Sequence, residues 1–200
     1  MDASFWNDRY AGAGYVYGQA PNAFVTEMAR HIPTGPVLCL AEGEGRNAAH
    51  LATFGHSVTA VDQSEVGLTK ARRLAAVRGI VIQTVVANLG DYRIVPGAWA
   101  GIIATFAHLP PTLRRGVHAA AAQGLQAGGV FILEAYTLAQ LAFGAGGPKA
   151  PDDARRAPGR TGGPGVFGGP RSGTRHFGRR KPHGPQRGRP SRRPPPCVTA

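Results

Sequence analysis

The chain has 200 residues and a mass of 20.9 kDa, enough for one domain with its own core and too little for two. A formal charge of +12 points to nucleic acid only if it is spread over the fold; residues 1–150 hold 11 Lys/Arg against 9 Asp/Glu, and residues 151–200 hold 12 against 2, so the basicity belongs to the tail. Two cysteines, Cys39 and Cys197, exclude a disulfide framework and a cysteine-built metal cluster.

The first predicted element is a helix over 20–32, where Phe24, Val25 and Met28 fall at helical spacing before Pro33 and the pair Gly35-Pro36 end it. Val37 to Leu40 reads as a short buried strand, Arg46 to Thr53 as a helix closed by Gly55, and Ser57 to Val61 as a second strand. Ser64 is the expected N-cap of a helix running to Val77, with Glu65 in its first turn. The β-branched run 80–87 predicts a third strand, 100–106 a fourth, 111–125 a helix and 129–136 a fifth strand. Short apolar strands alternating with helices predict an α/β, Rossmann-like, doubly wound and mostly parallel sheet.

Beyond Pro148 the composition changes. Residues 151–200 contain no Leu, Ile, Met, Trp, Tyr, Asn or Glu and are dominated by Arg, Gly and Pro. With few apolar side chains to offset the entropy of ordering, a disordered tail over 149–200 is expected after a domain over 1–148. Its composition fits an out-of-frame reading of a GC-rich gene, and it also fits an Arg/Gly-rich segment that binds nucleic acid. MDASFWNDRY lacks the basic and apolar regions of a signal peptide, and no window nears 18 uninterrupted apolar residues. A cytoplasmic protein with no membrane partner is the expectation.

The chemistry concentrates in LCLAEGEGRNAAHLATFG, residues 38–55. Gly43-Glu44-Gly45-Arg46-Asn47-Ala48 fits G-x-G-x-x-G/A between a strand and a helix, and Asp62 follows 19 residues after Gly43 at the tip of the next strand. That register suits a nucleotide-like ligand whose ribose diol binds the acid. A pyrophosphate here would meet Glu42 and Glu44, each like-charge contact costing about 2–3 kcal/mol at an effective dielectric near 20. An adenosyl ligand without phosphate, bearing a sulfonium and an ammonium, turns the same acids into assets.

These residues resemble the class I S-adenosylmethionine-dependent methyltransferases, nearest to the tellurite-resistance methyltransferase group. The resemblance rests on VLCLAEGEGRNAAHLATFGHSVTAVDQS, FAHLPP, GGVFILEAYTLAQ and the arm FWNDRYAGAGYVYGQAPNAF, and covers roughly residues 5–148. It implies methyl transfer from S-adenosylmethionine to a small nucleophilic acceptor. It also implies a cofactor loop at Ala41, Glu42, Gly43, Glu44 and Gly45, a ribose site at Asp62 with Gln63 beside it, and an adenine flanked by Asn88 and Leu89. Phe106 and His108 would border the methionine and acceptor side, with His108 the candidate catalytic base, and Arg9 and Tyr10 would close over the cofactor. The family usually carries an acid where this chain has Cys39 and a glycine where it has Ala41, and Glu42 or Glu44 is the candidate replacement carboxylate. The family's sheet also ends in a sixth and seventh strand, and the tail offers no sequence fit to form them.

Simpler roles compete at several positions. His108 also suits a polar group at a helix entry, Trp6, Tyr15 and Tyr17 suit a cover over the core, and Arg114 and Arg115 suit a solvated helix face. Two other functions stay open: an NADP-dependent oxidoreductase using the same loop, and a nucleic-acid-binding protein acting through the tail. No metal site is expected.

Overall fold

The computed structural model describes residues 2–137 and the dipeptides 167–168 and 198–199. The chain opens with helix α1 (Ala3–Tyr10), whose first turn is capped by Asp2 accepting from the Phe5 amide. Helix α2 (Ala23–Met28) begins at Asn22, whose side chain accepts from the amides of Phe24 and Val25, and it continues as a 3-10 turn over Ala29–His31. The helix expected over 20–32 is thus shorter, because Asn22 caps it from within.

Five parallel strands follow: β1 (Pro36–Leu40), β2 (Ser57–Asp62), β3 (Gln83–Val86), β4 (Trp99–Thr105) and β5 (Leu125–Ala135). Helices α3 (Arg46–Ala52), α4 (Glu65–Val77) and α5 (Pro111–Gly124) connect them. The sheet order is β3-β2-β1-β4-β5, a Rossmann-like α/β arrangement. β1 pairs with β2 on one side and β4 on the other, so the strand order reverses beside β1 and leaves a crevice at its carboxyl end.

Both faces of the sheet are covered, which is why its strands read as continuous apolar runs. Val37 and Cys39 of β1, with Ile103 and Ile132, pack under α2, α3 and α4. Leu38 and Leu40, with Ile102 and Phe131, pack under α5. Val37, Leu38, Cys39 and Ile102 are fully buried, and each large side chain among them contributes about 1.5–3 kcal/mol of apolar transfer.

Two strands depart from expectation. β3 is shorter than the run 80–87, because it pairs only with Thr59 to Asp62 of β2; Val81 is left exposed while Ile82 turns into the core. β5 starts directly at the end of α5 and carries Gly128 at φ +82, with a register shift against β4 between Trp99 and Gly101. On the outer edge of β5, two two-residue antiparallel strands pair with it, β6 (Phe167–Gly168) and β7 (Val198–Thr199). The rest of the expected disordered tail lies outside the described residues. No helix among the described residues is long and apolar enough to cross a membrane.

Candidate functional site

The loop from β1 to α3 turns at the switch point through three left-handed residues, Ala41 (φ +51), Gly43 (φ +62) and Gly45 (φ +86). Gly45 has a packing reason beyond its φ: a Cβ there would overlap the Cβ of Ala71 and stand 2.6 Å from its Cα, so glycine lets α4 press against the loop. Gly43 is also constrained by protein. A Cβ on it would lie 2.7 Å from the Tyr10 hydroxyl, so the arm closes over the loop at this point.

Asp62, at the tip of β2 and buried, fastens the loop. Its Oδ2 accepts from the Gly43 amide at 2.9 Å and its Oδ1 from the Ser64 amide at 2.8 Å. Burial pushes its carboxyl up, and the amides of Ser64, Gly43 and Gln63 partly offset that push. A carboxylate has about four acceptor sites, so with the Gly43, Ser64 and Gln63 amides in place about one is left for a further donor.

The two acids of the loop do different things. Glu42 turns its carboxylate beneath the start of α3, where Oε1 accepts from the amides of Asn47 and Ala48 at 2.9 and 2.8 Å. It thereby caps a helix whose formal cap, Gly45, has no side chain. Burial raises its carboxyl to about 7, against those two amides and Arg46, with Asp62 adding to the rise. The buried Cys39 thiol hydrogen-bonds with it, and burial and that carboxylate raise the thiol. Of the two candidates for the replacement carboxylate, Glu42 is therefore the one that lies beside Cys39.

Glu44 is 5% exposed and faces the arm. Its Oε1 accepts from Lys70 Nζ at 2.9 Å and its Oε2 from the Val16 amide at 2.7 Å. Its charge is balanced by Lys70, so the field on the loop comes chiefly from Asp62, with Glu42 adding only the ionised share of a carboxyl raised to about 7. Arg46, which could have offset a phosphate, instead donates to the Tyr17 carbonyl at 3.0 Å.

Tyr10 is buried between the loop and α4, with Trp6 stacked on it at 5.5 Å. Burial first, then Asp62, Tyr17 and Glu44, push its hydroxyl far above the usual tyrosine range, so it stays protonated. Arg9 is exposed and donates to the Tyr17 hydroxyl at 3.0 Å. After β3, Asn88 Oδ1 accepts from the Gly90 amide, and Leu89 packs toward the α5 core.

At the carboxyl ends of β4 and β5, Phe106 sits at φ +53 with its amide on the Glu134 carbonyl at 2.8 Å. Its ring lies 4.7 Å from that of Tyr136, and His108 stacks on Tyr136 at 5.3 Å. Tyr136 therefore joins the two residues named from sequence. Beside this wall, Asn22 Nδ2 donates to Glu134, the Asn22 amide donates to Asn47 Oδ1, and Asn47 Nδ2 donates to Thr105 Oγ1. This network ties the arm to the tips of β4 and β5, and it joins residues too far apart in sequence to announce themselves. Among the described residues no three His, Cys, Asp or Glu side chains gather as a metal site.

Residues 37–129, from β1 into β5, match the family described as a methyltransferase domain. The Rossmann-like sheet of the described residues agrees in fold with that match. Many solved structures are similar in fold, among them these three. One, from work on the conversion of a disulfide bond into a thioacetal group during echinomycin biosynthesis, has 22% identity and a TM-score of 0.61, covering 70% of this chain and 64% of that one. The CcbJ methyltransferase of Streptomyces caelestis has 25% identity and a TM-score of 0.52, covering 60% and 53%. A SAM-dependent methyltransferase of Geobacter sulfurreducens in complex with S-adenosyl-L-homocysteine has 17% identity and a TM-score of 0.54, covering 67% and 56%. The chain thus spans less than two thirds of each of these structures. No curated protein matches the sequence.

Proposed function

We propose that this chain is an S-adenosylmethionine-dependent methyltransferase acting on a small nucleophilic acceptor, within the tellurite-resistance group that HLPP and the glycine loop resemble. The observation that carries it is the setting of Gly43. The glycine that a pyrophosphate would need bare lies under the Tyr10 hydroxyl with its amide held by the Asp62 carboxylate, and Arg46 is engaged by the Tyr17 carbonyl. Such a site suits a cation and disfavours a phosphate, which weighs against the NADP-dependent alternative.

When bound, the cofactor would supply an activated methyl group on a sulfonium. The chain's own residues hold and cover the reactants. In this assignment Asp62 takes the ribose diol with Gln63 beside it, Asn88 and Leu89 flank the adenine, and Ala41 to Gly45 cradle the methionine portion. Tyr10 covers the loop. Phe106, His108 and Tyr136 wall the acceptor side, where His108 takes the acceptor's proton and the aromatic surfaces exclude water.

Calorimetry on the full chain tests the reading. S-adenosylmethionine is expected to bind at one site and NADPH to give no heat. NADPH binding with S-adenosylmethionine inert would overturn it.

A further inference from the structure

Glu44 sits in the middle of the cofactor loop, yet its carboxylate is spent on the N-terminal arm. Lys70 Nζ, on α4, bridges the two: it donates to Glu44 Oε1 at 2.9 Å and to the Gly14 carbonyl at 2.6 Å. The Val16 amide closes the set on Glu44 Oε2 at 2.7 Å, and the Tyr15 hydroxyl donates to the Lys70 carbonyl at 3.2 Å. The two charged side chains are 15% and 4% exposed, so the pair is shielded from water.

We propose that Glu44 and Lys70 are positioning residues that latch segment 11–19 across the cofactor loop, so that the cofactor enters and leaves when this latch opens. Three features favour a latch over a fixed wall. At Gly12, Gly14 and Gly18 nothing lies within 4 Å of the place a Cβ would take, which leaves the segment free to swing at both ends. An open pocket of about 420 Å³ is lined by Gly14, Gly18 and Gln19 on one side and by Arg73, Leu74 and Val77 on the other, so the segment is not packed tightly onto α4 there. Three further ties, Arg9 to the Tyr17 hydroxyl, Arg46 to the Tyr17 carbonyl and Arg78 to the Gln19 carbonyl, are exposed contacts of small worth. The buried pair is the anchor, because opening one partner strands the other's charge. Tyr10 lies just ahead of this segment and rests on Gly43, so freeing the segment also frees the cover over the loop.

The effect on cofactor exchange rests on the methyltransferase reading; the latch itself does not. The full-length wild type, K70M, E44Q and K70R are compared by stopped-flow fluorescence with S-adenosyl-L-homocysteine as the probe. K70M is expected to raise association and dissociation rates together by about tenfold, with Kd within about threefold, E44Q to raise both rates whatever its effect on Kd, and K70R to restore wild-type rates. Unchanged rates, or a rise in dissociation alone, would overturn the latch as a gate. Hydrogen exchange at the Val16 amide is read without any ligand. It should speed by about tenfold or more in K70M and E44Q, and wild-type protection in both variants would overturn the latch. Failure of the probe to bind would refute the cofactor assignment, and the exchange rates would still decide whether the latch exists.

Discussion

Replacing Gly45 with alanine isolates the packing of α4 on the loop. The new Cβ would overlap the Cβ of Ala71 and lie 2.6 Å from its Cα, and Ala71 is a residue with no exposed surface. Because one contact is with backbone, no side-chain rotation relieves it; the helix or the loop must shift. Holding alanine at φ +86 costs about 1–2 kcal/mol, and overpacking of this kind costs about 1–3 kcal/mol more, so the expected loss is about 2–5 kcal/mol. Gly55 supplies the control, with φ +84 and nothing within 4 Å, so alanine there meets only the backbone cost. Urea unfolding of Gly45→Ala and Gly55→Ala gives both losses on one scale, provided their m-values agree. The difference should be about 1–3 kcal/mol, and Gly45→Ala alone should also weaken S-adenosylmethionine binding. Equal losses, within about 0.5 kcal/mol, would refute the claim that contact with α4 fixes the glycine at 45.

Glu42 makes stability depend on pH, with a sign opposite to that of a salt-bridged carboxylate. Its folded value of about 7 exceeds the unfolded 4.5, so its contribution is complete below pH 4.5 and is lost as pH rises through 7. Relative to Glu42→Gln, the wild type should lose on the order of 3 kcal/mol between pH 4 and pH 8, and urea curves that move in parallel would contradict this. Ala41→Gly should raise stability by about 1 kcal/mol in thermal melts, since φ +51 strains alanine and not glycine. Asp62→Asn removes the charge that holds the Gly43 and Ser64 amides, and calorimetry should find S-adenosylmethionine affinity lowered by about tenfold or more.

The sheet was legible because its strands are buried on both faces, so apolar runs such as 37–40 and 57–61 stood out against their flanks. Ser64 marked the start of α4 by composition alone and does cap it, accepting from the Gly67 amide. Helix α1 was not legible: ASFWNDRY is mostly polar, and Tyr10, with Trp6 stacked on it, docks only against Gly43 of the loop and Gly67 of α4. β3 was overread because Ile80 and Val81 are β-branched, whereas the Ile80 amide goes to the Ala75 carbonyl at the end of α4 and pairing with β2 begins only at Gln83. In the site, Gly43, Gly45 and Asp62 followed from spacing along one β-α-β unit. Lys70, Asn22, Asn47, Glu134 and Tyr136 did not, since their partners lie on other elements and only folding brings them together. The acids at 42 and 44 drew notice as charges near a ligand, while their side chains turn to α3 and to the arm.

The thiol of Cys39 has a practical use. It is fully buried in β1, and both burial and Glu42 hold it in the protonated, unreactive form. An alkylating reagent can therefore modify Cys39 only in molecules whose central strand has opened. Mass-resolved labelling of that one peptide then becomes a clock for the opening of the strand that leads into the cofactor loop. A ligand that grips the loop should slow the clock, whatever signal its own binding gives.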